Sequence, residues 1–255
     1  MTPSLQQEKY NVPAKQLPLT PHEKLKDKDF RSSFHWRVFR IIAEFVDGWQ
    51  FLADLKKSVT FFGSARTQEG TQWYEEARKL GHLLAKDGYD VITGGGPGVM
   101  EAANRGAWEA NEETTNNGSP NDSDKIGKSI GLNIKLPLEQ RINKYVDKSV
   151  AFHYFFVRKV MLSYYAQAYI YFPGGYGTMD EVFELLTLIQ TKKVPPIPVI
   201  LIGKDFWGTL ASWLENEVCE KHHALDHEDL LLYKIVDSAE EAFEIIKNSP
   251  VRNEF

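Results

Sequence analysis

From residue 58 onward, short apolar runs alternate with longer segments whose apolar side chains recur every three or four residues. Val59 to Gly63 is the first short run. Trp73, Ala77, Leu80 and Leu84 then share one helical face, and Gly88 stands where a helix favours its stop. Asp90 to Thr93 reads as a strand, Gly98 to Ala110 as a helix and Ser129 to Ile134 as a third strand. A helix from about Tyr154 to Gln167 leads into a strand at Ala168 to Phe172. Thr178 to Gln190 is helical, with Val182, Leu185, Leu186 and Ile189 on one face. Pro198 to Ile202 is a strand. A helix from Asp205, a short piece near Glu228, a strand near Ile235 and a helix from Ser238 complete the series.

Such alternation predicts an α/β protein: a mainly parallel, doubly wound sheet with helices on both faces. Right-handed crossovers then bring every helix N-terminus to the carboxyl edge of the sheet, where ligands of such sheets bind. Three segments stand outside the rhythm. Residues 1–32 are polar and rich in Pro, Lys and Gln, and read as a flexible or loosely docked arm. Residues 33–55 predict a helix on which Phe34, Val38, Ile41, Ile42, Phe45 and Leu52 recur, while Trp36, Phe39 and Val46 make other faces apolar. That helix is expected to be buried by the domain or by another subunit. Residues 111–128 are almost wholly polar and read as an exposed insertion. The expected organisation is the arm followed by one domain over 33–255.

The chain has 255 residues and a formal net charge of −5, with Lys and Arg scattered. No basic footprint for nucleic acid is present. The single cysteine, Cys219, fits a reducing compartment. The first residues carry no apolar leader core, and no apolar run is long enough for a membrane span. A cytoplasmic location without membrane partners is the expectation.

Chemistry concentrates in two glycine-rich turns. Gly94, Gly95, Gly96 and Gly98 lie between a predicted strand and a helix, followed by Met100. Bare backbone amides and a helix dipole at such a place form an anion site. Val99 stands where a dinucleotide fingerprint would end in glycine, and no Gly-Lys-Ser/Thr follows, so NAD and ATP phosphoryl transfer are disfavoured. Pro173-Gly174-Gly175-Tyr176-Gly177-Thr178-Met179-Asp180-Glu181 occupies the same strand-to-helix position. Thr178 and Glu181 also have capping-box spacing, and on spacing alone that reading is preferred. Arg158 and Lys159 are placed beside both turns, where an anionic ligand would offset their opposition to a helix dipole; solvent-facing cations are an equal reading. Ser64, after the first strand, suits either a phosphate or a local turn. Glu101 and Asn104 suit either a ligand or local capping, and Asp180 is a possible supporting carboxylate.

These residues resemble the Lonely Guy (LOG) family, often labelled "possible lysine decarboxylase". The likeness runs from about Ser58 to Ile246 and rests on the complete Pro-Gly-Gly-x-Gly-Thr-x-x-Glu at Pro173 to Glu181, on Arg158-Lys159, and on Gly94 to Met100. It implies a Rossmann-like fold and a phosphoribohydrolase that cuts a nucleoside 5'-monophosphate into free base and ribose 5-phosphate. The family's catalytic pair maps onto Arg158 and Glu181. Dimers or larger assemblies, with the active site near the subunit contact, are likewise implied. Phe155, Phe156 and Val157 stand where many short members have Met-His-x, and together with the N-terminal helix and the polar insertion they point to a general nucleotide hydrolase over a dedicated cytokinin enzyme. Decarboxylation needs pyridoxal phosphate on a Schiff-base lysine, and no lysine has an identifiable setting for it. Neither a cofactor nor a metal is expected. The alternative is a non-catalytic nucleotide or molybdenum-cofactor carrier, whose fold is similar.

Overall fold

The computed structural model describes residues 15–16, 36–55, 57–117, 126–135 and 141–252. Seven strands form one parallel sheet: β1 (Ser58–Phe62), β2 (Asp90–Thr93), β3 (Ser129–Ile134), β4 (Lys148–Phe152), β5 (Ala166–Tyr171), β6 (Val199–Ile202) and β7 (Lys234–Val236). Their spatial order is β4-β3-β2-β1-β5-β6-β7. The chain therefore winds outward from β1 to β4, returns beside β1 as β5, and winds the other way. The reversal between β1 and β5 opens the crevice in which doubly wound sheets bind ligands. The central strands are buried throughout, as an Ala-Gln-Ala-Tyr-Ile-Tyr strand sandwiched between two helical layers must be.

Helices α2 (Gln72–Lys86), α3 (Val99–Asn117) and α7 (Ala239–Lys247) cover one face, packing Leu80, Ala103 and Ile246 against Val59, Phe61 and Ile170. Helices α1 (Arg37–Ala53), α4 (Phe155–Tyr164), α5 (Tyr176–Gln190) and α6 (Lys204–Trp213) cover the other. Ser238 caps α7 by accepting a bond from the Glu241 amide. After α6 the chain continues as a π-helix, Leu214–Lys221, and a 3₁₀ turn, His227–Leu231.

Several expectations need revision. Strand β4 was not foreseen: its outer half is partly exposed, so it lacks a continuous apolar run. The helix expected over Tyr154 to Gln167 ends at Tyr164, because Ala166 and Gln167 already belong to β5. Helix α3 runs on to Asn117, so the start of the predicted 111–128 insertion is helical; residues 118–125 lie outside the described residues. Of the N-terminal arm only Lys15–Gln16 is described, and it pairs antiparallel with Arg141–Ile142.

Helix α1 holds the largest surprise. Its buried stripe is Arg40, Glu44, Gly48 and Leu52, with Ile41, Phe45 and Phe51 partly buried. Val38, Phe39, Ile42, Val46 and Trp49 are exposed. The inward seam thus mixes small and charged residues with apolar ones. Gly48 explains part of it: a Cβ there would lie 2.8 Å from Met161 Sδ of α4, so the two helices approach too closely for larger residues.

Candidate active site

Three adjacent strands, β2, β1 and β5, deliver their following turns to one edge of the sheet. The backbone of Ser64 joins them. Its amide donates to the Pro173 carbonyl (3.1 Å) of the second glycine turn, and its carbonyl accepts from Val99 N (3.1 Å), at the end of the first. Both turns therefore face one crevice. The Ser64 hydroxyl accepts from Arg66 N (3.1 Å), the local-turn reading allowed by the sequence.

The first turn is held by a buried polar lattice. Gly95 N donates to Thr93 Oγ1 (2.8 Å), and Thr93 Oγ1 donates to Asn104 Oδ1 (2.6 Å). Asn104 Nδ2 donates to Ser129 Oγ (2.8 Å). Asn143 then clamps the turn from outside the sheet. Its amide donates to the Gly95 carbonyl (2.9 Å), and its Nδ2 donates both to the Gly96 carbonyl (3.0 Å) and to Asn104 Oδ1 (2.9 Å). Asn104 is thus a structural residue, and Asn143 is one that sequence reasoning missed. Its only signal is non-local, since nothing near it in the chain announces which turn it will hold.

The glycines of this turn serve different ends. Gly95 and Gly98 have φ of +70° and +73°, a region costly for other residues, and a Cβ on Gly98 would lie 2.3 Å from the Ser64 carbonyl. Gly94 makes room for Arg158, whose Nη2 would stand 2.2 Å from an added Cβ. Gly96 makes room for Met100, whose methyl lies over the turn.

Helix α5 begins within the second turn. Gly175 is its N-cap, and no side chain caps it. Thr178 and Glu181 therefore do not form the capping box that their spacing favoured, because the helix starts two residues before Thr178. Met179 N makes the first intrahelical bond, to the Gly175 carbonyl. The amides of Tyr176, Gly177 and Thr178 precede it and have no intrahelical acceptor. Gly174 is packed against Thr178, but an added Cβ at Gly175 or Gly177 would meet nothing within 4 Å. Neither has a positive φ. Neither packing nor backbone conformation within the protein gives a reason for glycine at these two positions. Tyr176, at 96% exposure, stands beside them in solvent.

Arg158 and Glu181 lie near enough to each other for their charges to interact. The Arg158 amide opens α4 by donating to the Tyr154 carbonyl (3.2 Å), and its Nε donates to the Leu132 carbonyl (2.7 Å), which aims the guanidinium over Gly94. Burial pulls its pKa down to about 10, against the attraction of Glu181. Glu181 is 6% exposed, and burial pushes its carboxyl up to about 7, even though Lys159 and Arg158 pull the other way. Among the described residues no hydrogen bond ends on this carboxylate. Beneath it, the fully buried Tyr171 hydroxyl donates to the Glu181 carbonyl (3.2 Å), fixing the turn of α5 that carries it.

Lys159 is differently placed from Arg158. Its ammonium pairs with Asp180 (2.7 Å) and Glu184, both on α5. Burial would lower its pKa, but these two bonds outweigh burial and raise it. It acts as a strap between α4 and α5, and Asp180, expected as a supporting carboxylate, is taken up by the same strap. A lysine held protonated is poorly suited to Schiff-base chemistry. Glu101 lies against Tyr74 and Glu69, where burial raises its pKa. Among the described residues no helix is long and apolar enough to cross a membrane.

Free helix-start amides at the switch point of a parallel sheet, with a buried acid and a half-buried guanidinium nearby, belong to a doubly wound protein of Rossmann type. The chain belongs to the family described as "Possible lysine decarboxylase", which matches residues 100–246. It is similar to the rice cytokinin riboside 5'-monophosphate phosphoribohydrolase LOG, 27% identical over 180 residues, 69% of this chain and 67% of that one. It is also similar to the pyrimidine/purine nucleotide 5'-monophosphate nucleosidase of Escherichia coli K12, 28% identical over 71% of this chain but only 38% of that longer protein. Among solved structures, the structural-genomics target TM1055 shares the fold with a TM-score of 0.54 at 25% identity, over 76% of this chain and all of that one. The molybdenum cofactor carrier protein of Chlamydomonas reinhardtii has a TM-score of 0.51 at 21% identity, over 75% of this chain and 97% of that one, a likeness of fold alone.

Proposed function

We propose that this protein hydrolyses the N-glycosidic bond of nucleoside 5'-monophosphates, releasing free base and ribose 5-phosphate. The observation that carries the reading is the pair Arg158 and Glu181, the first half-buried over Gly94 and the second buried on α5, with burial shifting both pKa values. The turns at Gly94 to Gly98 and Gly174 to Thr178 receive the 5'-phosphate, with free amides and the α5 dipole as the seat. Arg158 secures the phosphate or the ribose. Glu181 faces the sugar. As the C1'–N bond breaks, its electron pair leaves with the base and the ribose becomes oxocarbenium-like; an adjacent carboxylate stabilises that charge. Water adds to C1' and gives its proton to Glu181, while the departing base takes one proton up. Holding the phosphate supplies remote binding energy that positions the reacting carbon.

The names carried by the rice and Escherichia coli relatives support this reading. A passive phosphate carrier gains nothing from a buried acid beside its anion. The exposed Phe39, Ile42, Val46 and Trp49 of α1, with Phe155 and Phe156 of α4, form the face on which we expect a second copy to sit, near the site. The deciding assay incubates the full chain with AMP, GMP, CMP, UMP and a cytokinin riboside monophosphate and measures free base. Release that vanishes in both Glu181→Gln and Arg158→Ala, with folding intact, supports the hydrolase. Tight binding without release moves the assignment to a carrier.

A further inference from the structure

We infer that Glu44, on the N-terminal helix α1, is the positioning residue for Arg158. This rests on the hydrolase reading for its kinetic consequence, though not for its geometry. Helix α4 has no side-chain cap of its own, no acidic residue in its first turn, and two cations, Arg158 and Lys159, one turn in. By its own sequence its N-terminus is unfavourable. The missing carboxylate comes from α1. Glu44, 1% exposed, accepts from His153 N through Oε1 (2.9 Å) and from Tyr154 N through Oε2 (3.0 Å), the two amides at the mouth of α4.

A continuous chain of bonds then leads to the site. The Tyr154 amide is held by Glu44, the Tyr154 carbonyl accepts from the Arg158 amide, and Arg158 Nε donates to the Leu132 carbonyl. The guanidinium at the end of this chain is the group that presses against Gly94. Arg40, Arg37 and Lys135 share this corner, close enough to lower the pKa of His153, after burial. One helical turn further along α1, Gly48 lets it approach Met161 closely enough for the Glu44 carboxylate to reach. This also accounts for the polar residues on the inward side of α1, which hydrophobic patterning alone does not pick out.

The test is Glu44→Gln in the full chain, which removes the charge and offers one amide an amino group instead of an acceptor. At temperatures where circular dichroism shows the variant folded, affinity for ribose 5-phosphate and kcat/KM for the best nucleotide are each expected to fall about tenfold. Glu44→Asp, which keeps the charge, should recover part of both, and serves as the test if Glu44→Gln does not fold. In an Arg158→Ala background the Glu44 substitution should have no further effect. Loss of stability alone, with affinity and kcat/KM unchanged in the folded variant, overturns the proposal, as does an equal loss with Arg158 absent. If the wild-type chain releases no base, the hydrolase reading fails while the binding measurements still test Glu44. If it does not bind ribose 5-phosphate either, a crystal structure of Glu44→Gln decides: Arg158 still seated on the Leu132 carbonyl overturns the proposal, and Arg158 displaced supports it.

Discussion

Replacing Glu181 by Gln should cost activity and add stability. A carboxyl raised from 4.5 to about 7 binds its proton more tightly in the folded protein than in the unfolded chain. Below pH 4.5 it is neutral in both states and costs nothing. As pH rises from 4.5 to 7 the unfolded chain gives up this proton while the folded state must hold it or bury the charge, so the penalty grows across that window and levels off above 7 at about 3 kcal/mol. Gln has the same shape without the titration. It also removes the counter-charge of Arg158, which offsets part of the gain. A net stabilisation of about 2 kcal/mol at pH 8, or about 4–8 °C in Tm for a chain of this size, is expected. The two melting curves should converge near pH 4.5. Base release should meanwhile fall by about 10² to 10⁴. Thermal melts from pH 4.5 to 8.5 beside a base-release assay measure both. A variant that is less stable at pH 8 than the wild type, or whose stability difference does not depend on pH, would refute the claim that Glu181 is held buried at a cost in order to act.

Gly177→Ala should raise stability by up to about 1 kcal/mol, since it improves helix propensity and the added methyl meets nothing. The same methyl should intrude on a docked phosphate and raise KM, as steady-state kinetics beside a melt would show. Asn143→Ala removes the two bonds that Nδ2 donates, to the Gly96 carbonyl of the first glycine turn and to Asn104 Oδ1, and the one that Oδ1 accepts from Tyr145 N, while the backbone bond to Gly95 stays. It should destabilise the fold by about 2 kcal/mol and loosen phosphate binding, read by denaturant titration and ribose 5-phosphate affinity. In wild-type enzyme kcat/KM should climb with pH along an acid limb centred near 7, because Glu181 works as the carboxylate.

How much of this was legible in the sequence depends on the range of the interactions. Strand-to-helix alternation announced the parallel sheet, and the two glycine turns announced the strand-to-helix junctions at one sheet edge, because both signals are local. Thr178 and Glu181 misled as a capping box: spacing cannot say that α5 starts at Tyr176. Lys159 matched Arg158 in the motif, yet the acids one turn apart on α5 claim it, and those acids were visible without their partner being so. Asn143 and Glu44 act 47 and 110 residues away in the chain from groups they hold, at distances no periodicity reports. On helix α1 the apolar pattern picked out Ile41, Phe45 and Leu52, which pack inward, but not Arg40, Glu44 and Gly48 beside them, because a buried carboxylate and a glycine at a close approach carry no hydrophobic signal.

The span between the two glycine turns is fixed by the amide and carbonyl of Ser64, atoms that every non-proline residue brings. Whatever side chain stands at 64, the separation of the two seats is unchanged. If the proposed reaction holds, side chains beside the turns, such as Tyr176, can be exchanged to retune which base is accepted while the spacing of the two turns stays constant, which makes this edge of the sheet a sound starting point for redesigning substrate preference.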